Sequence, residues 1–329
     1  MAATDMDRVT VNDAIELAAR APSVHNSQPW RWLIGDDSVH LMADWSRQVP
    51  ATDPQGRDLL ISCGAALHHL RVAFAALGYA TLVHRIPNPA TPDHLAAVEF
   101  VSAEPSREDV ALASAITRRR TDRRAYSSWP VPAELLDLLV ERAAHEGVIA
   151  IPVTDTDARY RLAVAMELAA ERQQRDPEYA AEIAQWSGRS RVSTDGVPAV
   201  AAPAGSEHHG DTRMRTFTGG ELRESPVRRG EPDAGELIVL ATPGDDALSR
   251  LRAGEAASAV LLTATELGLA SCPLSQAVEV ADSRILIRDT VLDGAAIPQL
   301  VLRVGWAPTS AEPLPASARR AVADISATL

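Results

Sequence analysis

Lysine is missing from this chain. All 32 of its basic residues are arginines, and they stand against 44 acidic residues, so the formal net charge is −12 over 329 residues. Without lysine there is no Schiff-base nucleophile and no phosphate-binding lysine of the Walker type. Any anion must therefore be bound by guanidinium or backbone N–H groups. The acidic balance and the lack of a long basic run also argue against nucleic acid as a partner.

Cysteine and aromatic residues are scarce as well. Cys63 and Cys272 are far apart with no CxxC spacing, which predicts two buried thiols in a reducing compartment and no disulfide framework. No apolar run approaches the roughly 20 residues that span a bilayer, and the N-terminus has no signal pattern. We therefore expect a cytoplasmic protein without a membrane partner.

Several catalytic patterns are also lacking. The chain has no GxSxG elbow, no HExxH and no GxGxxG that opens a helix after a strand. Its adjacent histidine pairs, at residues 68–69 and 208–209, do not have metal-ligand spacing. These absences argue against a hydrolase, a metal enzyme and a Rossmann-type dinucleotide site.

The chain contains one internal repeat. Residues 64–80, GAALHHLRVAFAALGYA, align without gaps to residues 254–270, GEAASAVLLTATELGLA, at an offset of 190 positions. Both segments predict long buried helices that end at a glycine, Gly78 or Gly268. Strand-like segments accompany each helix, WRWLI and SVHLMAD in the first copy and ELIVLAT in the second. We predict an α+β fold of two tandem halves, each a mixed, mainly antiparallel sheet packed with helices around a long central helix.

The two predicted halves differ in length. The N-terminal half covers residues 1–104, and the C-terminal half covers residues 105–329, with two or three further helices between residues 132 and 185. Residues 187–235 are rich in glycine and show no sustained hydrophobic period. Segments this long within a compact domain are functional lids or linkers. We interpret this one as a lid-like insertion, with Met214 and Phe217 as candidate plugs.

Two polar runs are candidates for a binding site. PSVHNSQPW, residues 22–30, lies between two apolar elements, and a solvated turn is the ordinary interpretation of such a loop. TRRRTDRRAY, residues 117–126, contains five arginines. It is either a solvated turn paired with acidic neighbours or an anion clamp, because guanidinium groups bind phosphate oxygens in pairs.

The first run resembles a motif of the FMN-dependent nitroreductase superfamily, and within it of the Acg-like branch. The family loop reads Pro-Ser-Ser-x-Asn-x-Gln-Pro-Trp, and this chain matches it except that Val24 replaces the second serine. In that family the loop reaches across a dimer interface to FMN held mainly by the other subunit. The resemblance implies that Pro22, Ser23, Val24 and Asn26 contact FMN.

The other motifs of that family lie in the second half. RRTDR resembles the family's Arg-x-Ser-x-Arg/Lys motif and implies Arg119, Thr121 and Arg123 as phosphate and ribityl ligands, whereas alignment on Tyr126 selects Arg120, Asp122 and Arg124. CPLSQ resembles the loop beside the isoalloxazine ring and implies Pro273, Leu274 and Ser275. LVLRVGWAP followed by LPASARRAV resembles the family's last strand and basic phosphate contact, which implies Arg319 or Arg320.

These motifs are distributed unequally between the halves. The first half has the Gln-Pro-Trp loop but no arginine run, and the second half has the arginine run but no such loop. The resemblance therefore implies a nitroreductase dimer fused into one chain, with one FMN and no need of a second subunit, so a monomer is preferred. If residues 187–235 cover the site, the protein sequesters flavin or has a restricted redox role. The alternative is an active NAD(P)H-dependent reductase of small nitro or quinone acceptors with a mobile lid.

Overall fold

The computed structural model describes residues 8–205, 208–224 and 232–329, and the fold within them is α+β, as predicted. The helices are α1 (Arg8–Ala18), α2 (Arg57–Ala76), α3 (Arg107–Arg118), α4 (Ala133–His145), α5 (Thr156–Gln174), α6 (Pro177–Trp186), α7 (Ala247–Glu266), α8 (Gln276–Glu279), α9 (Ala281–Thr290) and α10 (Val322–Ile325). The strands are β1 (Trp30–Ile34), β2 (Ser38–Ala43), β3 (Tyr79–Arg85), β4 (His94–Ser102), β5 (Ile149–Pro152), β6 (His208–His209), β7 (Thr212–Arg213), β8 (Glu236–Thr242), β9 (Ala270–Leu274), β10 (Ile297–Gly305) and β11 (Ser326–Thr328).

The first sheet has the strand order β11-β1-β2-β4-β3. Its pairs are antiparallel except for β1 with β11, which run parallel. Along β1 the side chains of Trp30, Trp32 and Ile34 are buried, because alternate residues of a strand face the same side of the sheet. This sheet therefore draws four strands from residues 1–104 and one from residues 105–329.

The second sheet has the order β5-β8-β10-β9, and all of its pairs are antiparallel. Strands β8 and β10 are buried along almost their whole length because helices cover both faces. Helices α4 and α7 pack on one face, and α5, α8 and α9 pack on the other.

The two helices predicted from the repeat, α2 and α7, cross at their matched glycines. A Cβ atom on Gly64 would lie 1.9 Å from the carbonyl oxygen of Leu251, and a Cβ atom on Gly254 would lie 1.9 Å from that of Ile61. Ile61 and Leu251 are themselves 190 positions apart, so the two close contacts have the same offset as the repeat. Only glycine allows the backbones to approach this closely.

Helix α2 is long and apolar enough to cross a membrane by length and composition alone. It has 20 residues with a mean hydropathy of 1.4, and 83% of the stretch is buried inside the protein. The core helix of a folded domain has the same properties, because its apolar residues pack on neighbouring elements all round. Cys63 on α2 and Cys272 on β9 are free and buried, as predicted.

The predicted insertion, residues 187–235, has little regular structure where the structure describes it. It contains the β6–β7 ribbon, a short 3-10 turn at Ala199–Ala201, and isolated bridges from Arg189 to Pro198 and from Pro203 to Leu222. Residues 206–207 and 225–231 lie outside the described part of the chain.

Candidate functional site

The loop of residues 22–28 has an unusual backbone. Three of its non-glycine residues have positive φ angles, 48° at His25, 57° at Asn26 and 52° at Gln28. Each such residue costs on the order of 1 to 3 kcal/mol, so the surroundings must hold it in place. Two hydroxyl groups do so: Ser23 Oγ accepts a bond from the backbone N–H of Gln28 at 3.0 Å, and Ser62 Oγ accepts one from that of Val24 at 3.1 Å. This loop is therefore held in a defined conformation by hydrogen bonds and is not a solvated turn.

Two amide side chains form hydrogen bonds that connect this loop to the insertion and to the C-terminal segment. Gln28 Nε2 donates to the carbonyl oxygen of Thr194 at 2.7 Å, and Gln28 Oε1 accepts from the backbone N–H of Arg320 at 2.9 Å. Asn26 Nδ2 donates to the carbonyl oxygen of Gly196 at 3.0 Å. The other amide atom, Asn26 Oδ1, is buried and has no hydrogen-bond partner within the described residues.

A cleft opens beneath this loop, between α2, α7 and the end of β9. Its empty space of about 990 Å³ includes the open solvent at its mouth. Its walls are apolar where Ile61 and Ala65 of α2 face Leu261 of α7. The candidate residues that line it are Pro22, Ser23, Val24, Thr121, Arg123, Pro273, Leu274 and Ser275.

A second cavity continues from the cleft. Pro22, Ser23, Thr121 and Arg123 line both spaces, so the two adjoin. The further candidate residues that line the second cavity are Asn26, Arg119, Arg120 and Arg319, and Arg20 also lines it. The cleft thus leads from apolar walls to a group of five arginines.

Four of the five arginines of the second cavity lack acidic partners among the described residues, whereas Arg20 forms an ion pair with Glu16 at 3.9 Å. Burial and the neighbouring guanidinium groups lower the pKa of Arg119 to about 10 and that of Arg319 to about 9. Burial also lowers the pKa of Arg120 and of Arg123. None of these four forms an ion pair with a described carboxylate, and Arg119 Nε has no hydrogen-bond partner there. The result is a concentration of positive charge in an acidic protein.

Arg319 is held by main-chain groups. Its guanidinium donates to the carbonyl oxygens of Ala19, Arg20 and Ala21 at 2.9 to 3.3 Å, just beyond the end of α1. Those carbonyls carry the partial negative charge of a helix terminus, which stabilises the cation there. Arg319 therefore contributes positive potential to the cavity from a fixed position.

Some residues of the arginine run line the two cavities and others do not. Arg119, Thr121 and Arg123 line the cavities, whereas Arg124 forms a two-point ion pair with Asp122, at 2.9 and 2.8 Å, and lines neither. Arg120 lines the second cavity. Arg320 lines neither space, and its guanidinium donates to the carbonyl oxygen of Asp324.

Strand β9 brings the arginine run to the cleft. Thr121 forms an isolated bridge with Ser271, and the backbone N–H of Asp122 donates to the carbonyl oxygen of Ser271 at 2.9 Å. Pro273 and Leu274, expected in a loop, are the last residues of β9, which pairs with β10, and α8 begins at Gln276. Proline is tolerated here because β9 is the edge strand of its sheet.

Residues of the insertion line the cleft. Met214 and Phe217, the candidate plugs, both line it, and the Arg123 guanidinium lies 4.9 Å from the centre of the Phe217 ring. Between them, Arg215 forms a buried ion pair with Glu279 and donates to the hydroxyl of Tyr179 at 3.0 Å. The sequence analysis missed this ion pair, although an arginine between two apolar plugs was a signal that it has a buried partner.

The His25 side chain of this loop lies against the insertion. Its Nε2 is 3.1 Å from Thr52 Oγ1 and 3.4 Å from a guanidinium nitrogen of Arg215. Burial, with Arg215 and Arg123 nearby, holds the pKa of His25 well below its usual value, which favours the neutral imidazole at neutral pH.

Comparison with known proteins identifies the family. The model of the nitroreductase family matches residues 116–306. Two relatives from Mycobacterium tuberculosis H37Rv carry the name "Putative NAD(P)H nitroreductase". Rv3131 is 44% identical over 97% of this chain and 91% of its own length, and acg is 39% identical over 96% and 94%. This chain belongs to the nitroreductase family.

Solved structures were compared as well. The crystal structure of the FMN-dependent nitroreductase NfnB from Mycobacterium smegmatis, in complex with NADPH, is 19% identical. The match covers 65% of this chain and 93% of that one, with a TM-score of 0.35.

Proposed function

We propose that this protein binds FMN in the continuous cleft, with the phosphate in the arginine cavity and the isoalloxazine ring between the apolar walls. The observation that carries the proposal is the group of four arginines without acidic partners in the cavity that adjoins the apolar cleft. A phosphate dianion supplies the missing negative charge, and charge-assisted hydrogen bonds to guanidinium groups are strong.

The donor set also fits the rest of FMN. Arg119 Nε and Asn26 Oδ1 are a buried donor and a buried acceptor without partners among the described residues, so a polar ligand would satisfy both. The end of β9, at Pro273 and Leu274, supplies one side of the cleft, and α2 supplies the other. FMN, when bound, carries out hydride transfer, while the protein binds and orients it.

We propose one FMN for each chain. Among the cleft residues, Ala65 on α2 and Leu261 on α7 correspond, at the offset of 190, to Glu255 and Arg71. Glu255 and Arg71 form an ion pair at 2.9 Å, and Arg85 adds two further bonds to Glu255. Charged side chains thus occupy the position where a second cleft of the fused dimer would have apolar walls. This supports tandem halves with a single site.

We further propose that the insertion sequesters the flavin and limits its redox role. Arg213, Met214, Arg215 and Phe217 line the cleft, the Arg215–Glu279 ion pair is buried, and Gln28 Nε2 donates to the carbonyl oxygen of Thr194. These contacts keep the insertion over the site. The second candidate is an NAD(P)H-dependent reductase of a small nitro or quinone acceptor with an opening lid, which the names of Rv3131 and acg favour.

Absorbance of the purified protein tests both candidates. We expect one FMN per chain after extraction; two per chain would contradict the single site, and failure to bind FMN would contradict the proposal as a whole. NADPH added without oxygen should bleach the flavin band slowly or not at all if the flavin is sequestered, while dithionite should bleach it. Rapid bleaching by NADPH would favour the reductase. Sedimentation should give the mass of a monomer.

A further inference from the structure

A carboxyl group in the first turn of α2 lines the cleft, and one of its oxygens has no partner among the described residues. Asp58 lines the cleft and is 5% exposed, and its Oδ2 is buried with no hydrogen-bond partner among the residues the structure describes. A buried carboxylate without a partner is costly, so an unpaired carboxyl in this position requires an explanation.

The cations nearest to Asp58 have other partners. The Arg57 guanidinium forms an ion pair with Asp245 and donates to Gln299 Oε1 at 2.8 Å. Arg215 forms its ion pair with Glu279, and the lowered pKa of His25 favours its neutral form. No guanidinium therefore neutralises Asp58 through a direct contact in the described structure.

The neighbouring carboxylates are better stabilised than Asp58. Asp53 accepts from the backbone N–H groups of Arg57 and Leu59, at 2.7 and 2.8 Å. Glu279 accepts from Arg215 and, at 2.7 Å, from Ser275 Oγ. Three carboxyl groups thus face one buried region, and Asp58 is the one with no donor to hold its charge. Burial, with the charges of Asp53 and Glu279, raises the pKa of Asp58 well above its usual value.

We propose that Asp58 is a protonated carboxylic acid that donates a hydrogen bond to an acceptor atom of the ligand ring in the cleft. The inference rests on the proposed function for the identity of that ligand, FMN. The proposed hydrogen bond makes Asp58 a specificity-determining residue. A neutral O–H donor favours a planar ring with an uncharged oxygen or nitrogen acceptor, whereas an ionised carboxylate repels such an acceptor.

The inference predicts a defined pH dependence of binding. A ligand that accepts from the neutral acid raises the pKa of Asp58 further. Affinity is therefore constant below the pKa of the free protein and falls about tenfold per pH unit above it, until the pKa of the complex is reached. Asp58→Asn keeps an N–H donor and cannot ionise, so it should bind FMN without this decline. Asp58→Leu removes the donor and should weaken binding roughly three- to tenfold at neutral pH.

The experiment combines carboxyl NMR with FMN titration. Protein stripped of flavin and labelled with ¹³C at the aspartate carboxyl groups should show one protonated resonance at neutral pH that is absent in Asp58→Asn. FMN fluorescence is then titrated from mildly acidic to alkaline pH for the wild type, both variants and Asp289→Asn, a surface control that should behave as the wild type. An ionised Asp58 at neutral pH, or equal pH profiles for the wild type and Asp58→Asn, would overturn the inference.

Two further outcomes separate this inference from the proposed function. If no variant binds FMN and the wild type does not either, the proposed function fails, while the NMR resonance still decides the protonation state of Asp58. If Asp58→Asn does not fold, the inference is also wrong, because an amide closely resembles a neutral acid in size and polarity.

Discussion

Replacing two arginines of the same run should change the stability of the flavin-free protein in opposite directions. Arg119 is buried without an acidic partner among the described residues, and its pKa falls from the usual value of arginine to about 10, which corresponds to a penalty of about 3 kcal/mol. The pKa in the folded state lies below that of the unfolded chain. The penalty is therefore complete at neutral pH and declines only as the pH rises through about 10. We expect Arg119→Met to increase the free energy of unfolding by about 1 to 3 kcal/mol.

Arg124 is the matched control, since it is buried in the same segment but paired with Asp122 through two hydrogen bonds. Arg124→Met leaves the buried Asp122 carboxylate without its cation and should lower the free energy of unfolding by about 3 to 5 kcal/mol. Urea denaturation of both flavin-free variants at neutral pH measures the two effects. A less stable Arg119→Met protein would refute the claim that this arginine is uncompensated.

Arg119→Met should weaken the binding of FMN although it stabilises the flavin-free protein. Arg119→Met should bind FMN roughly ten- to a hundredfold more weakly, because it loses charge-assisted hydrogen bonds to the phosphate. Fluorescence titration of FMN measures this loss, and unchanged affinity would place the phosphate elsewhere.

Three other substitutions test the packing around the site. Gly254→Ala should lower the free energy of unfolding by about 1 to 3 kcal/mol, since its Cβ would clash with the Ile61 carbonyl oxygen, and equal stability in urea would contradict the tight crossing. Glu255→Leu should cost about 3 to 5 kcal/mol by the same assay, because two arginines lose their buried anion, and a neutral result would show that they find other partners. Gln28→Leu removes the bond to Thr194 and should speed proteolysis of the insertion about tenfold; an unchanged cleavage rate would mean that other contacts hold it.

Local patterns in the sequence predicted the structural features that are determined by residues close together in the chain. The offset of 190 residues located the glycines of both central helices, and these glycines lie in contact where α2 and α7 cross. The polar loop was recognisable because amide and hydroxyl side chains at fixed spacing shape its backbone. The register of the arginine run was not predictable, because the motif could be aligned either on RRTDR or on Tyr126, and the structure places Arg119, Arg120, Thr121 and Arg123 along the second cavity. The bridge from Thr121 to Ser271 holds this run beside β9.

Other parts of the site depend on partners far apart in sequence. Arg215 and Glu279 are 64 positions apart, and no local pattern connects an arginine in an irregular segment with a glutamate on a short helix. Asp58 lies in an apolar helix, and nothing in the sequence shows that the arginines near it are already paired with other carboxylates. The strand Ser326–Thr328 was also unpredicted, because three small residues carry no strand pattern.

The position of β11 has a consequence for synthesis on the ribosome. Strand β1 has β2 on one side and β11 on the other, and the register joins Trp32 to Ser326. During translation the edge of β1 is therefore open until Ser326–Thr328 have been made, after all four strands of the second sheet. The first sheet can begin to form early, but it is completed only by β11, and until then the nascent chain presents an exposed strand edge to its neighbours.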